Sequence, residues 1–332
     1  MKVLIIGGTR FIGPYVIKEL LELGHEVSVF NRGESEYILP AEVEFIKGDR
    51  DSIENHLLEI KKCKPDVVLD MIPFTEKQAK KAQDIFSGVA GRIVGISSGD
   101  VYRAYGRLIG SEPGDTVLTP SNEESPLREK RYPFRGKFKD NHPMYDYDKI
   151  LVEQVYLNNK NIPGTILRLP MVYGPGDRQH RLFEYVKRMK DDRQIILIDR
   201  TLGNWKTARA YVENVAHAIT LSLINPNSAN KIYNVVENNF TETKWVHLIK
   251  DHMNWVGKIE IISDHPNGLN FAQNLDMDSE KIRNELGYSE KVPFEVGLER
   301  TINWEINHYP DFDPRTFYDK DDQWIINNLS KT

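Results

Sequence analysis

A chain of 332 residues, 40% apolar and 28% charged, has ordinary globular composition and is long enough for one large core and a smaller one. The 44 basic and 49 acidic residues leave a formal charge of -5, which argues against wholesale nucleic-acid binding while leaving a local basic patch open. The single cysteine, Cys63, excludes an intrachain disulfide and suits a reducing cytoplasmic setting, and no apolar run approaches the length of a bilayer span or a signal-peptide core.

The apolar run at 3–6 ends in glycines and predicts a buried parallel strand. Helical spacing follows over 11–23, with Pro14 in the first turn and Gly24 as the stop. Strands are expected at 27–30, 43–46, 67–70 and 92–96, separated by helical stretches at 52–61 and 75–86. Cys63, just before one of these strands, reads as a small packing residue. This alternation predicts an α/β fold of the Rossmann type, a doubly wound parallel sheet with helices on both faces. From 102 to 143 proline, glycine and charge dissolve the pattern into a long connection. A helix over 145–158 and a strand over 165–169 come next. Beyond 174 the elements are short and mixed, with strands at 195–198 and 232–236 and helices at 212–223, 244–254, 279–286 and 294–307. The expected division is a Rossmann domain over 1–174 and a smaller mixed α/β substrate domain over 175–332, which returns elements at about 205–236 to the first domain.

Gly7-Gly8-Thr9-Arg10-Phe11-Ile12-Gly13 joins the first strand to the first helix. A backbone that turns tightly there and opens a helix N-terminus is suited to a dinucleotide pyrophosphate. The expected cofactor contacts are Gly7, Thr9, Arg10, Phe11, Ile12 and Gly13 in this loop. The second strand ends in Asn31-Arg32, where an NAD-binding protein usually carries an acidic residue for the ribose 2′-hydroxyl. Arg32, helped by Arg10, can pair with a 2′-phosphate, so NADP is expected first and NAD second. Asp49, followed by Arg50, is placed after the third strand to accept from an adenine amino group, or to cap a turn.

Tyr145 and Lys149 are four apart on an expected helix and so share a face. An ammonium beside a phenol favours the phenolate, which can move a proton to or from a substrate hydroxyl. Tyr147, two residues from Lys149, is expected to point elsewhere. Ser98, in Ile96-Ser97-Ser98-Gly99-Asp100-Val101-Tyr102 at the end of the fifth strand, can hydrogen-bond the same substrate oxygen. Glycine loop, serine and Tyr–Lys pair, with Leu167-Arg168-Leu169-Pro170-Met171-Val172-Tyr173-Gly174-Pro175 and Ala210-Tyr211-Val212-Glu213-Asn214-Val215-Ala216, resemble the extended short-chain dehydrogenase/reductases, the NAD(P)-dependent epimerase/dehydratase family. Tail motifs from Leu275-Asp276-Met277-Asp278 to Trp304 extend the likeness to about residue 305, leaving 309–332, with Phe317 and Trp324, outside it. The resemblance implies an oxidoreductase or epimerase working by hydride transfer on a hydroxyl or keto carbon of a sugar or nucleotide sugar. It implies Tyr145 as acid/base, Ser98 as substrate-orienting hydroxyl and Lys149 as a further hold on the nicotinamide ribose. It places Met71, Ile72, Pro73, Ser97, Pro170 and Val172 around the cofactor, and it implies a homodimer.

The departures from the family pattern are specific. Its dehydratases carry two acidic residues after the serine or threonine, where this chain has Gly99 and then Asp100, a candidate extra base. Its nucleotide-sugar enzymes often have an arginine where Thr207 stands, with Arg209 two residues later. Arg178, His180, Arg181 and Arg209 are candidate substrate contacts; no histidine or cysteine has metal-ligand spacing. The segment 127–139, with Arg128, Arg131, Tyr132, Phe134 and Arg135, reads as a solvated loop, a grip on a phosphate-bearing substrate, or a single-strand nucleic-acid surface. The last of these, with a glycine loop similar to that of chloroplast stem-loop RNA-binding proteins, gives the alternative: a weakly catalytic NADP-binding regulator or RNA-binding protein.

Overall fold

Val3-Leu4-Ile5-Ile6 forms β1 (Lys2–Ile6) and is buried on both faces, as a strand inside a parallel sheet must be. The structure, a computed structural model, describes residues 1–263, 268–311, 313 and 315–328. After β1 come α1 (Ile12–Glu22), β2 (Glu26–Asn31), β3 (Glu44–Lys47), α2 (Leu57–Cys63), β4 (Val67–Asp70), α3 (Glu76–Phe86), β5 (Arg92–Ser98) and α4 (Arg103–Leu108). They are followed by α5 (Lys149–Leu157), β6 (Gly164–Leu169), β7 (Met171–Tyr173), α6 (Phe183–Lys190), β8 (Ile195–Asp199), α7 (Arg200–Asn204), β9 (Lys206–Tyr211) and α8 (Val212–Ile224). The chain ends with β10 (Lys231–Asn234), β11 (Asn238–Thr241), α9 (Glu242–Met253), β12 (Lys258–Ile262), α10 (Glu280–Leu286), α11 (Phe294–Asn307) and α12 (Arg315–Asn328).

Seven strands form one parallel sheet in the order β10-β6-β5-β4-β1-β2-β3. The chain reverses direction across the sheet between β1 and β4, and such switch points open a crevice at the strand C-termini. On one face α1 packs against α8, which arrives from the second half of the chain; on the other α3 packs against α5. Glu19 of α1 binds His217 of α8 at 2.7 Å and also receives Lys291, so three distant segments meet on one carboxylate. A three-stranded sheet β11-β9-β7 and the pair β12-β8, all from the second half of the chain, build a smaller part beside this sheet's seven strands.

Several expectations are redrawn. The helix expected over 52–61 divides into a 3-10 turn, Arg50–His56, and α2. The connection after β5 contains α4 and is tied down by bridges from Tyr102 to Leu127 and from Ser121 to Met277. The helix expected from 145 begins only at Lys149, because Asp148 takes the cap position: its Oδ1 accepts from Ile150 N at 3.0 Å. At the C-terminus α12 folds back on its own chain, with Asp321 buried 3.0 Å from Arg188 of α6. The Phe317 side chain lies outside the described residues.

Candidate active site

Two cavities open at the C-terminal ends of the central strands. The larger, of about 630 Å3, is walled by the glycine loop, by Asn31 and Arg32 at the end of β2, by Asp49 to Asp51, by Met71, Ile72 and Phe74, and by Arg178. The smaller, of about 260 Å3, lies over β5 and is walled by Ser98 to Asp100, Tyr102, Tyr105, Ser121, Leu169 to Met171, Gln179, Arg181, Thr207 and Met277.

The glycine loop has the conformation that a close-approaching pyrophosphate needs. Gly7 and Gly8 have φ of 92° and 78°, in the left-handed region open mainly to glycine. A Cβ on Gly13 would stand 2.2 Å from Gly8 O, so helix and loop close together only because that residue has none. No side chain caps the N-terminus of α1, and Phe11 before it has φ 48°. In the first turn Gly13 N donates to Arg10 O at 3.0 Å and Pro14 has no N–H, so what the helix start offers an anion is the N–H of Ile12 and the positive end of the helix dipole. Asn31 braces this loop from below, donating to Gly7 O at 3.1 Å and Thr9 Oγ1 at 3.3 Å. Arg32 is exposed on the rim, 2.9 Å from an equally exposed Glu34. Arg10 is exposed on the same rim, and no side-chain partner appears for it among the described residues. These features fit a dinucleotide.

Arg50 and Asp49 have structural duties as well. Asp49 caps the 3-10 turn by accepting from Asp51 N at 2.8 Å. Arg50 is buried in a bidentate pair with Asp70, at 2.7 and 2.8 Å, and Tyr156 donates to the same carboxylate at 2.6 Å. Its guanidinium reinforces the wall formed by β4 and is committed to that wall.

Lys149 lines neither cavity. It is buried, and its Nζ donates to Pro73 O and Ile96 O, each at 2.8 Å, which ties the segment after β4 to β5. Burial lowers its ammonium to about 8, against the pull of Asp70 and Asp100. Ser98 lines the smaller cavity and accepts from Asp100 N at 3.2 Å. Ser97, one residue earlier, points into the core and donates to Glu153 at 2.5 Å. Val172 is buried, whereas Pro170 and Met171 line the smaller cavity.

Neither Tyr145 nor Tyr147 lines a cavity, and it is Tyr147 rather than Tyr145 whose ring is buried near Lys149. Tyr145 sits in the turn before α5, its ring 5.2 Å from the Arg135 guanidinium carbon, and it lines neither cavity. Tyr147 is the buried one. Its Oη donates to Asp100 Oδ2 at 2.6 Å, and its ring centroid lies 5.8 Å from Lys149 Nζ. The late start of α5 causes this: Tyr145 and Lys149 share a helical face only if Asp148 is inside the helix, and Asp148 caps it instead.

The four basic candidates separate. Arg178 lines the larger cavity and Arg181 the smaller, the latter paired with Asp177 at 2.7 Å. His180 bonds Glu305 at 2.8 Å and stacks on Trp304. Arg209 is buried against Glu242 with its guanidinium over Trp245, so its charge is spent inside the smaller part. The segment 127–139 is not a freely solvated loop: Arg128 is buried and donates to Asp100 O at 2.5 Å, Arg131 donates to Arg128 O, and Arg135 pairs with Asp146. Phe134 packs 5.2 Å from the Tyr147 ring. Phe74 in the wall of the larger cavity, and Tyr105 and Gln179 in the wall of the smaller one, went unseen in the sequence, where no spacing marks them.

Comparison with known proteins agrees with this architecture. The chain is 25% identical over 325 residues to "Putative UDP-glucose 4-epimerase" of Methanocaldococcus jannaschii, covering 92% of this chain and 99% of that one. It is also 25% identical over 249 residues to the chloroplast stem-loop binding protein of 41 kDa b of Arabidopsis thaliana, covering 70% of this chain and 58% of that one. Among solved structures, the UDP-glucose 4-epimerase of Thermotoga maritima with UDP-glucose has the same fold, at a TM-score of 0.69 and 18% identity over 92% of this chain and 99% of that one. The sequence model of the NAD dependent epimerase/dehydratase family matches residues 3–235, and with the seven-stranded sheet and its glycine loop this places the chain in that enzyme family.

Proposed function

We propose that the larger cavity holds a nicotinamide dinucleotide, NADP in preference to NAD, and that the smaller one holds a sugar or nucleotide sugar whose hydroxyl-bearing carbon is oxidised and reduced. The observation that carries this reading is the glycine loop at the head of α1 in the wall of the larger cavity, with Ser98 at the C-terminal end of β5 in the wall of the smaller one. When bound, the nicotinamide supplies the acceptor and donor of hydride. The chain's own residues bind and orient: the α1 N-terminus faces the pyrophosphate, and Ser98 Oγ offers a hydrogen bond to the substrate oxygen.

The NADP preference rests on Arg10 and Arg32 at the ribose end. Glu34 competes for Arg32, but an exposed ion pair is worth only about 0.2–1 kcal/mol. A phosphate offers Arg32 a stronger, charge-assisted partner. Inversion of a carbinol centre or reduction of a keto-sugar fits the site better than dehydration. A side chain at position 99 would meet the Met277 sulfur at 2.7 Å, so the first acidic residue of the dehydratase pattern has no room unless Met277 moves. The test is NMR of UDP-glucose and UDP-galactose incubated with the protein and trace NADP. Interconversion without net NADPH marks an epimerase, and consumption of NADPH on a keto-sugar marks a reductase.

The chloroplast relative favours a second reading, an RNA-binding protein on the same fold. Its weakness is that Arg128, Arg131 and Arg135, the charges it would use, are engaged within the chain. A gel-shift series with structured RNA should show no binding at low salt; affinity that falls steeply with salt and vanishes in Arg135→Ala would replace the enzyme reading.

A further inference from the structure

The segment between β7 and α6 supplies side chains to both cavities. Arg178 stands in the wall of the larger, and Gln179 and Arg181 stand in the wall of the smaller. This segment is held from two sides. His180, with φ 47°, bonds the buried Glu305 of α11 at 2.8 Å and stacks on Trp304, ring centroids 5.0 Å apart. Asp177 is buried, and its Oδ1 accepts from Gln179 N at 3.0 Å. The same carboxylate takes one end of the Arg181 guanidinium, whose Nη1 donates to Oδ1 at 2.7 Å and to Oδ2 at 2.8 Å. The other end is unspent: Nη2 has no partner among the described residues and is open to solvent. A guanidinium fixed at one nitrogen and free at the next is preorganised to donate to an anionic oxygen.

Little in the smaller cavity opposes an anion. Among the described residues of its wall, Asp100 is the one other charged side chain, and its carboxylate is committed inward: Oδ2 accepts from Tyr147 at 2.6 Å and Oδ1 is closed to solvent. Thr207 adds a hydroxyl without charge, and Arg209 is spent on Glu242. At about 260 Å3 the cavity falls below the about 300–1,000 Å3 of sites for drug-sized ligands, a size that suits one substituted sugar ring better than a whole nucleotide sugar. We propose that Arg181 is a specificity-determining residue that reads an anionic group, phosphate or carboxylate, borne by the sugar ring in this cavity, with the Gln179 amide as a second donor. The inference deepens the two-cavity reading above and rests on it. Asp177 acts through Arg181, as the positioning residue that turns Nη2 away from itself and leaves it for the ligand.

NMR of the arginine-labelled full chain, with and without NADPH, tests this without turnover. The Nε–H signal that is missing from Arg181→Lys should shift saturably with glucose 6-phosphate or glucuronate and stay still with glucose; the stronger of the two anions tells phosphate from carboxylate. By isothermal titration calorimetry the preferred anionic sugar should bind about 10- to 100-fold tighter than glucose, a preference lost in Arg181→Gln, while Gln179→Ala should weaken it about two- to tenfold. Circular dichroism checks the fold of Arg181→Gln, which leaves Asp177 buried without its cation; the wild-type titration and Gln179→Ala decide the matter if that variant unfolds. An Arg181 signal that neither anionic sugar moves overturns the proposal, as does a preference that survives in folded Arg181→Gln. Inorganic phosphate that binds as tightly as glucose 6-phosphate overturns it too, because the ring then adds nothing, and a response to UDP-glucose alone overturns it by placing the anion in the nucleotide. Wild-type protein that binds glucose 6-phosphate at Arg181 and no NADPH counts against the dinucleotide reading alone, whereas protein that binds NADPH and neither anionic sugar counts against this proposal alone.

Discussion

Single atoms decide much of the cofactor site. Gly13 is replaceable only by moving backbone, since a Cβ would stand 2.2 Å from Gly8 O and 2.5 Å from Gly8 Cα. Gly13→Ala should therefore weaken dinucleotide binding by about a hundredfold, through displacement of the loop that must approach the pyrophosphate. Isothermal titration calorimetry checks this, with circular dichroism confirming that the sheet persists. At the other end of the cavity, Arg32→Ala removes one charge-assisted contact. It should cost NADPH about tenfold in affinity and NADH less than about twofold. An equal loss for both cofactors would show that Arg32 does not read the 2′-position.

At the scale of elements, the cap of α5 fixes where Lys149 and Tyr147 lie. Asp148 is fully buried; one oxygen accepts from Ile150 N at 3.0 Å and the other from Tyr132 N at 2.7 Å, with Arg128 3.8 Å away. It thereby starts the helix that carries Lys149 and anchors the segment that packs Phe134 on Tyr147. Asp148→Ala should cost about 2–4 kcal/mol, the sum of a lost cap and an uncompensated buried arginine, measured by urea unfolding. It should also speed proteolysis within 130–142, and Asp148→Asn, which keeps the cap and loses the charge, should fall between. This cap also marks where the sequence stopped being legible. The strands of the sheet were readable because each is a short apolar run between turn residues, as Val67-Val68-Leu69 shows. The glycine loop was readable because its spacing is dictated by backbone geometry. A tyrosine and lysine four apart, however, suggest a shared face only if the helix spans both, and one capping aspartate between them removed Tyr145 from it. The short elements β7, β9 and β11 were invisible for a related reason: three to six residues with partners far along the chain have no period of their own.

Across the whole molecule the second half of the chain is not an appendage. α8 packs on α1, and β10 extends the sheet beside β6, so the smaller part is fastened to the larger at both ends of its first excursion. Glu237, between β10 and β11, accepts from Tyr211 N at 2.9 Å at this junction. Burial raises its carboxyl from 4.5 to about 7, so the folded state binds a proton that the unfolded chain releases. Above about pH 7 both states are ionised and the full cost of the buried charge is present; the cost fades as pH falls from about 7 toward 4.5. Glu237→Gln should accordingly stabilise the protein by on the order of 2 kcal/mol near about pH 8 and change little near about pH 5. A stabilisation independent of pH would show that the junction tolerates this charge without penalty.

The central claim, that this fold carries a working dinucleotide site, is tested most directly by fluorescence titration of the purified chain with NADPH and, in parallel, NADH. The account predicts saturable binding of both, tighter for NADPH, and weakened about a hundredfold in Gly13→Ala. Failure of the wild-type protein to bind either nucleotide would contradict it.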